Sequence, residues 1–229
     1  MTICAIHQPN FFPWAGFFDK IRQADIFIFL DDVAYPKSGS GAGSWCNRVQ
    51  LLSSGEPDWY GLPIKREAGV QLIQDVHFLN QSHVLKKMKK KLEHNYKKYP
   101  YFSETMAILE PLLLHNETNL AAYNIHSIVT LSKTLGFKTK FIKQSELKHS
   151  RQSNELLIEL IQQVGADSYL CGNGASGYQN DTLFLEAGIQ LVYQDTSTIR
   201  NTFVQDESND ALSLSIVHHL MTSYPRLQM

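Results

Sequence analysis

Two short apolar runs constrain the fold of this chain more than any other feature. Thr2-Ile3-Cys4-Ala5-Ile6 and Ile26-Phe27-Ile28-Phe29-Leu30 are unbroken rather than alternating, as in strands covered on both faces of a parallel sheet. Between them, Pro13-Trp14-Ala15-Gly16-Phe17-Phe18-Asp19-Lys20-Ile21 starts with a proline suited to a first helical turn. Strand, helix and strand in that order make a βαβ unit. The first run has no basic segment ahead of it and no small-residue cleavage site behind His7, so it reads as a strand and not a signal peptide.

The alternation stops and later resumes. Trp59-Tyr60-Gly61-Leu62-Pro63-Ile64-Lys65 has the internal proline of an edge strand. From Ser82 to Tyr99, Val84, Met88, Leu92 and Tyr96 recur every four residues among Lys86, Lys87, Lys89, Lys90, Lys91, Lys97 and Lys98, the pattern of an amphipathic basic helix. Helices are expected over 103–114 and 118–135, the second ended by Gly136. Strands are then expected at 138–142, 168–171 and 189–193, and helices at 154–164, 182–187 and 208–222. The expected fold class is α/β: an open, mostly parallel sheet with a helical insert at about 80–135, all within one domain spanning 1–229. A length of 229 residues suits one domain with an elaborated middle, against a prior of roughly 150 residues per domain.

Composition excludes several classes of function. With 43% hydrophobic and 19% charged residues the chain can bury a core. Lys+Arg of 21 against Asp+Glu of 22 leaves a net charge of -1, so no whole-molecule field draws it to nucleic acid, and nucleic acid is not expected as a partner. No apolar stretch approaches the roughly 20 residues of a membrane span. Cys4, Cys46 and Cys171 are odd in number and far apart, as befits reduced thiols in a cytoplasmic protein. No CxxC, HExxH or EF-hand spacing occurs, and no metal site is expected.

In open parallel sheets, ligands bind beyond the carboxyl ends of the strands, here at His7–Phe12, Asp31–Lys37 and Gly172–Tyr178. His7 could serve as a general base or an oxyanion donor, or simply be held by backbone in a turn. Asp31 and Asp32 could hold a divalent cation or an amine, or close a strand-end turn. Arg48 could fork onto a phosphate or carboxylate while Trp45 stacks on a flat or sugar-like face. Gly172-Asn173-Gly174-Ala175-Ser176-Gly177-Tyr178 permits close backbone approach but lacks both the dinucleotide fingerprint and the G-x-S-x-G elbow. The lysine helix reads as a solvated face or as a docking stripe.

Taken together, His7-Gln8-Pro9-Asn10-Phe11-Phe12-Pro13-Trp14-x-Gly16-Phe17-Phe18-x-Lys20-Ile21 and Ala24-Asp25-Ile26-Phe27-Ile28-Phe29-Leu30-Asp31-Asp32-Val33 resemble the WbqC-like protein family. So do Ser44-Trp45-x-Asn47-Arg48, Gly165-Ala166-Asp167-x-Tyr169-Leu170-x-Gly172, Gly188-Ile189 and Leu214-Ser215-Ile216-Val217. The resemblance implies an acyl or aminoacyl transferase acting on an amino sugar in O-antigen or other surface polysaccharide biosynthesis. His7 and Asp31 are then the expected catalytic residues. Gln8, Asn10, Trp14, Lys20, Asp32, Lys37, Trp45, Asn47, Arg48, Gly172, Gly174, Ser176 and Tyr178 are the expected substrate-binding set. The substrate is expected to be a small sugar, such as a sugar nucleotide, and the candidate donor a pantetheine or coenzyme A thioester. An acidic acyl-carrier protein could dock at Lys86, Lys90 and Lys97. The chain departs from the family's pattern in the longer loop at Gly39–Gly43 and in His218, where an acidic residue is usual. An ATP-using nucleotidylyltransferase-like enzyme or amide ligase forming an acyl-adenylate fits the same outline, though no second His follows His7 in the way those enzymes require. A non-catalytic sugar-binding protein is the third class, favoured if His7 and Asp31 are buried and satisfied.

Overall fold

The computed structural model describes residues 1–36, 44–172, 179–203 and 212–227. Strand β1 (Ile3–His7) pairs in parallel with β2 (Ile26–Phe29), Cys4 opposite Ile26 and His7 opposite Phe29. Helix α1 (Ala15–Gln23) joins them. All four residues of β2 are buried, which is why its sequence does not alternate. Helix α1 starts two residues later than the proline suggests, with Trp14 in an extended conformation at its N-cap.

The next segment differs from expectation. Strands β3 (Arg48–Ser53) and β4 (Glu56–Gly61) form a separate antiparallel hairpin, Arg48 opposite Gly61. The single strand expected at 59–65 therefore starts and ends earlier. Ser54 and Gly55 both have positive φ, 53° and 89°, the condition of the tight turns that match strand twist. Pro63 lies beyond the strand.

Helices α2 (Gln81–Tyr96), α3 (Phe102–Leu113) and α4 (Leu120–Thr134) follow. Leu85, Met88, Leu92 and Tyr96 form the buried face of α2, whereas Val84 is only half-buried. Asn119 caps α4 by accepting from the Ala122 N–H at 2.9 Å, and Gly136 turns the chain at φ 82°. Strand β5 (Lys140–Lys143), helix α5 (Ser153–Gln163), strand β6 (Ser168–Cys171), helix α6 (Asp181–Glu186) and strand β7 (Gln190–Tyr193) restore the alternation. Helix α7 (Thr196–Phe203) was not legible in advance. It buries only Ile199 and Phe203 and starts where the Asp195 carboxylate accepts from the Ser197 N–H at 2.9 Å. Helix α8 (Ile216–Leu227) is last; the expected start at 208 lies outside the described residues.

The five parallel strands lie in the order β5-β2-β1-β6-β7. Side chains of Ala5, Phe27 and Phe29 join one hydrophobic cluster with α1, the three middle helices, α7 and α8. Those of Cys4, Ile6, Ile26 and Ile28 join the other with α5 and α6. This face-by-face division is the period-two geometry of a strand and makes a helix–sheet–helix sandwich. Phe27 is fully buried, and truncating such a phenylalanine to alanine costs about 3–5 kcal/mol. From β1 the chain moves outward to β2 and β5, then crosses back to place β6 on the other side of β1. The reversal opens a crevice beyond the carboxyl ends of β1 and β6.

Candidate functional site

His7 ends β1 at that crevice. Its Nδ1 lies 3.0 Å from the Gln8 carbonyl oxygen, so Nδ1 carries the hydrogen and Nε2 is left as the acceptor. Phe17 and Trp14 meet the ring edge-on, with centroids at 4.9 and 5.6 Å. Burial brings the imidazole down to about 4, and the Lys20 charge pushes in the same direction against the Gln8 hydrogen bond. His7 is therefore a neutral base at neutral pH.

Lys20 comes from α1, one helical turn beyond Gly16 and Phe17, and is only 7% exposed. It forms no ion pair among the described residues, and burial lowers its ammonium to about 8. A Cβ on Gly172 would stand 3.4 Å from its Nζ, so the end of β6 touches the lysine because position 172 has no side chain. His7 and Lys20 share a cavity of about 420 Å³ with Ile6, Trp14, Gly16, Phe17, Tyr169, Gly172, Gln194, Thr196 and Ile199. Among the described residues no carboxylate lines it. Lys20, the N-terminal end of α1 and the Trp14 indole N–H all favour an anion there.

Asp19, fully buried, is not part of the cavity lining. Its carboxylate accepts from Arg22 at 2.9 Å, Gln23 at 2.6 Å and Gln194 at 2.8 Å, and Gln194 also donates to the Gly16 carbonyl at 2.7 Å. This network ties the end of β7 to α1 and so fixes the helix that carries Lys20. Gln194, Tyr169, Thr196 and Ile199 were not singled out from sequence. Gln194 directly follows a strand, the one signal that could have found it.

The loop from His7 to Trp14 is fastened at several points. Asn124 of α4 donates to the carbonyls of Pro9 at 2.9 Å and Cys46 at 2.7 Å. Ser215 Oγ donates to the Phe12 carbonyl at 2.6 Å. Phe12 has φ 40°, a left-handed conformation costing roughly 1–2 kcal/mol that these bonds hold in place. Asn10, 2% exposed, accepts from the Cys46 thiol at 3.6 Å, and Gln8 Oε1 lies 4.0 Å from the same sulfur. Asn47 accepts from Tyr35 Oη at 2.6 Å and donates to the Leu62 carbonyl at 2.8 Å. Gln8, Asn10 and Asn47 thus do not line the cavity but hold the loops that carry Trp14 and Trp45.

Trp45 and Arg48 belong to an aromatic line. The Arg48 guanidinium lies 4.1 Å from the Trp59 ring centre, Trp59 meets Trp45 at 4.7 Å, and Trp45 meets Trp14 at 5.0 Å. Trp14 then touches His7, so all three tryptophans of the chain lead to the cavity.

The structure does not bring Asp31 to His7. Asp31, 3% exposed, lines a different cavity of about 580 Å³ with residues of α4 and the end of β5. Its carboxylate accepts from the Ser145 N–H at 2.9 Å and Ser145 Oγ at 2.7 Å. Asp32 pairs with His149 at 3.0 Å and accepts from Gln74. Lys37, Gly174, Ser176 and Tyr178 lie outside the described residues. His218 is buried on α8 against Tyr96 and Tyr99. No group of three or more His, Cys, Asp or Glu side chains able to hold a metal occurs among the described residues.

Lys86 and Lys90 on α2, and Lys97 just past its end, are exposed. Lys89 and Lys91 are tied instead to Glu110 and Asp58, each at 2.7 Å. Among the described residues no helix is long and apolar enough to cross a membrane.

Comparison with known proteins gives two matches. The profile of the WbqC-like protein family matches residues 8–227. A protein of Mycobacterium tuberculosis, itself named only as uncharacterized, is 29% identical over 203 residues, covering 88% of this chain and 85% of that one. No solved structure matches.

Proposed function

The chain belongs to the WbqC-like protein family, and on that premise we propose that it transfers an acyl or aminoacyl group to the amine of an amino sugar in O-antigen or other surface polysaccharide assembly. One observation carries the proposal. A neutral imidazole and a buried ammonium with no ion pair among the described residues share a cavity, at the reversal point of the sheet, whose described lining holds no carboxylate. Acyl transfer needs a base for the nucleophile and positive charge or N–H donors for the oxyanion.

In the proposed step the sugar nitrogen attacks the acyl carbonyl carbon of a pantetheine or coenzyme A thioester and forms the C–N bond. The carbonyl π electrons move to oxygen, which Lys20 and the Trp14 N–H stabilise. His7 Nε2 takes the proton from nitrogen and returns it to the departing sulfur as the C–S bond breaks. Asp31, in its separate cavity, takes no part; it anchors the segment after β5 to the end of β2.

The purified protein, given an amino-sugar nucleotide and an acyl thioester, should release free thiol and form amide. His7→Ala should lower that turnover about 10²- to 10⁴-fold. Unchanged turnover in the variant would remove His7 from the chemistry. An ATP-using ligase is the second reading, favoured because the crevice at a sheet reversal with a buried lysine also suits a phosphate. Pyrophosphate release from ATP and a free carboxylic acid, with no thiol released from thioester, would select it.

A further inference from the structure

Beside the His7–Lys20 cavity lies a smaller one of about 310 Å³. The two share Trp14, Gly16, Thr196 and Ile199. Trp45, Leu212 and Ser213 complete the lining, and among the described residues its polar side-chain groups are the Thr196 and Ser213 hydroxyls and the indole N–H groups of Trp14 and Trp45; the rest is apolar. Gly16 stands at the junction. A Cβ there would lie 2.8 Å from Trp14 Nε1 and 3.2 Å from Ile199 Cδ1, so any side chain would crowd the two walls together.

We infer that this annex seats the hydrocarbon part of the transferred acyl group, with the polar carbonyl head held at Lys20. The inference rests on the acyl-transfer reading for naming its ligand an acyl donor. The chemistry of the walls selects the class. A nucleobase presents a polar edge that needs matched donors and acceptors, and a site without them leaves those groups unpaired. A sugar ring likewise demands hydrogen bonds around its rim. A hydrocarbon chain demands none and gains from every methylene withdrawn from water. At about 30 Å³ per water-sized group, the annex has room for on the order of ten such groups.

Straight-chain carboxylates from acetate to decanoate test this without turnover, because each offers Lys20 the same anion and the annex a longer tail. All three tryptophans lie on the line that leads into the cavity, so their fluorescence reports binding, with calorimetry as the second measure. Affinity should rise about fourfold per added methylene until the annex is full. Leu212→Phe, at a residue that lines the annex and not the Lys20 cavity, should flatten the series while acetate still binds. Lys20→Met should weaken every member alike. Thermal melts of each variant separate loss of the annex from loss of the fold. Equal affinity along the series, or a chain-length gain that survives Leu212→Phe in a folded protein, would overturn the inference. Chain-length dependence without any acyl transfer would sink the proposed function and leave the annex standing; transfer indifferent to acyl length would do the reverse.

Discussion

The ends of neighbouring strands in this sheet carry opposite charges in opposite circumstances. Beyond β1 and β6, Lys20 is buried with no ion pair among the described residues, in a cavity beside a neutral His7. Beyond β2 and β5, Asp31 is equally buried but takes two hydrogen bonds from Ser145. An uncompensated buried charge opposes folding, whereas a hydrogen-bonded carboxylate can support it. The difference separates a residue kept for binding from one that fastens two segments, although sequence alone put both in one active site.

The comparison breaks most easily on catalysis. Asp31→Asn should retain turnover within about tenfold, while His7→Ala loses the two to four orders of magnitude typical of a removed general base. Comparable losses in the two variants would return Asp31 to the chemistry. A pH profile of kcat/KM should be bell-shaped, with one limb near 4, where His7 takes up a proton, and the other near 8, where Lys20 loses one. A single limb, or both limbs displaced by several units, would detach one of these groups from the reaction.

Stability should sharpen the contrast with effects of opposite sign. The ammonium of Lys20 is lowered to about 8 from an ordinary value near 10.5, so below pH 8 the folded state bears the cost of a buried charge. That cost is relieved as pH rises from 8 to 10.5, where the unfolded chain still holds the proton. Lys20→Met should therefore stabilise the protein at pH 7 by on the order of 2 kcal/mol while abolishing anion binding. Asp31→Ala should destabilise it by about 1.5 kcal/mol by removing the acceptor of both Ser145 bonds. Chemical denaturation of the two variants measures both. Acid acts through His7 in the expected direction too. With its folded value near 4 against 6.5, stability should fall as pH drops from 6.5 toward 4.

The smallest effect concerns α2, remote in character from both cavities. Changing Lys86, Lys90 and Lys97 to Glu should slow transfer from an acidic carrier-bound donor a few-fold at low salt, and much less at physiological ionic strength, where the screening length shrinks to roughly 8 Å. A small thioester should be unaffected. Equal slowing with both donors would indicate damage to the fold.

Much of the architecture was legible because local chemistry agreed with it. Unbroken apolar runs marked β1 and β2, Gly136 and Gly188 marked helix ends, and the four-residue period marked α2. The hairpin is obscured because Ser44-Trp45-Cys46-Asn47-Arg48 reads as a site motif and only the short, half-buried alternation of Val49-Gln50-Leu51 after it marks the strand. Helix α7 left only two buried residues as a trace. The site was half legible: residues near His7 could be named, but which charged residue would share its cavity depends on strand order. Cys4 pairs with both Ile26 and Tyr169, and nothing local to either partner announces that second pairing.

That pairing also has a consequence during synthesis. One edge of β1 is covered as soon as β2 emerges, but the other waits for β6, about 160 residues later. At 5–20 residues per second the ribosome needs roughly 8 to 32 seconds for that stretch. Throughout it the nascent chain presents the bare edge of its central strand, with its apolar side chains, to whatever else is in the cell. The middle helices can form meanwhile, since their contacts are local. Chaperone contacts during translation should accordingly concentrate on the first strand and end abruptly once Cys171 clears the exit tunnel.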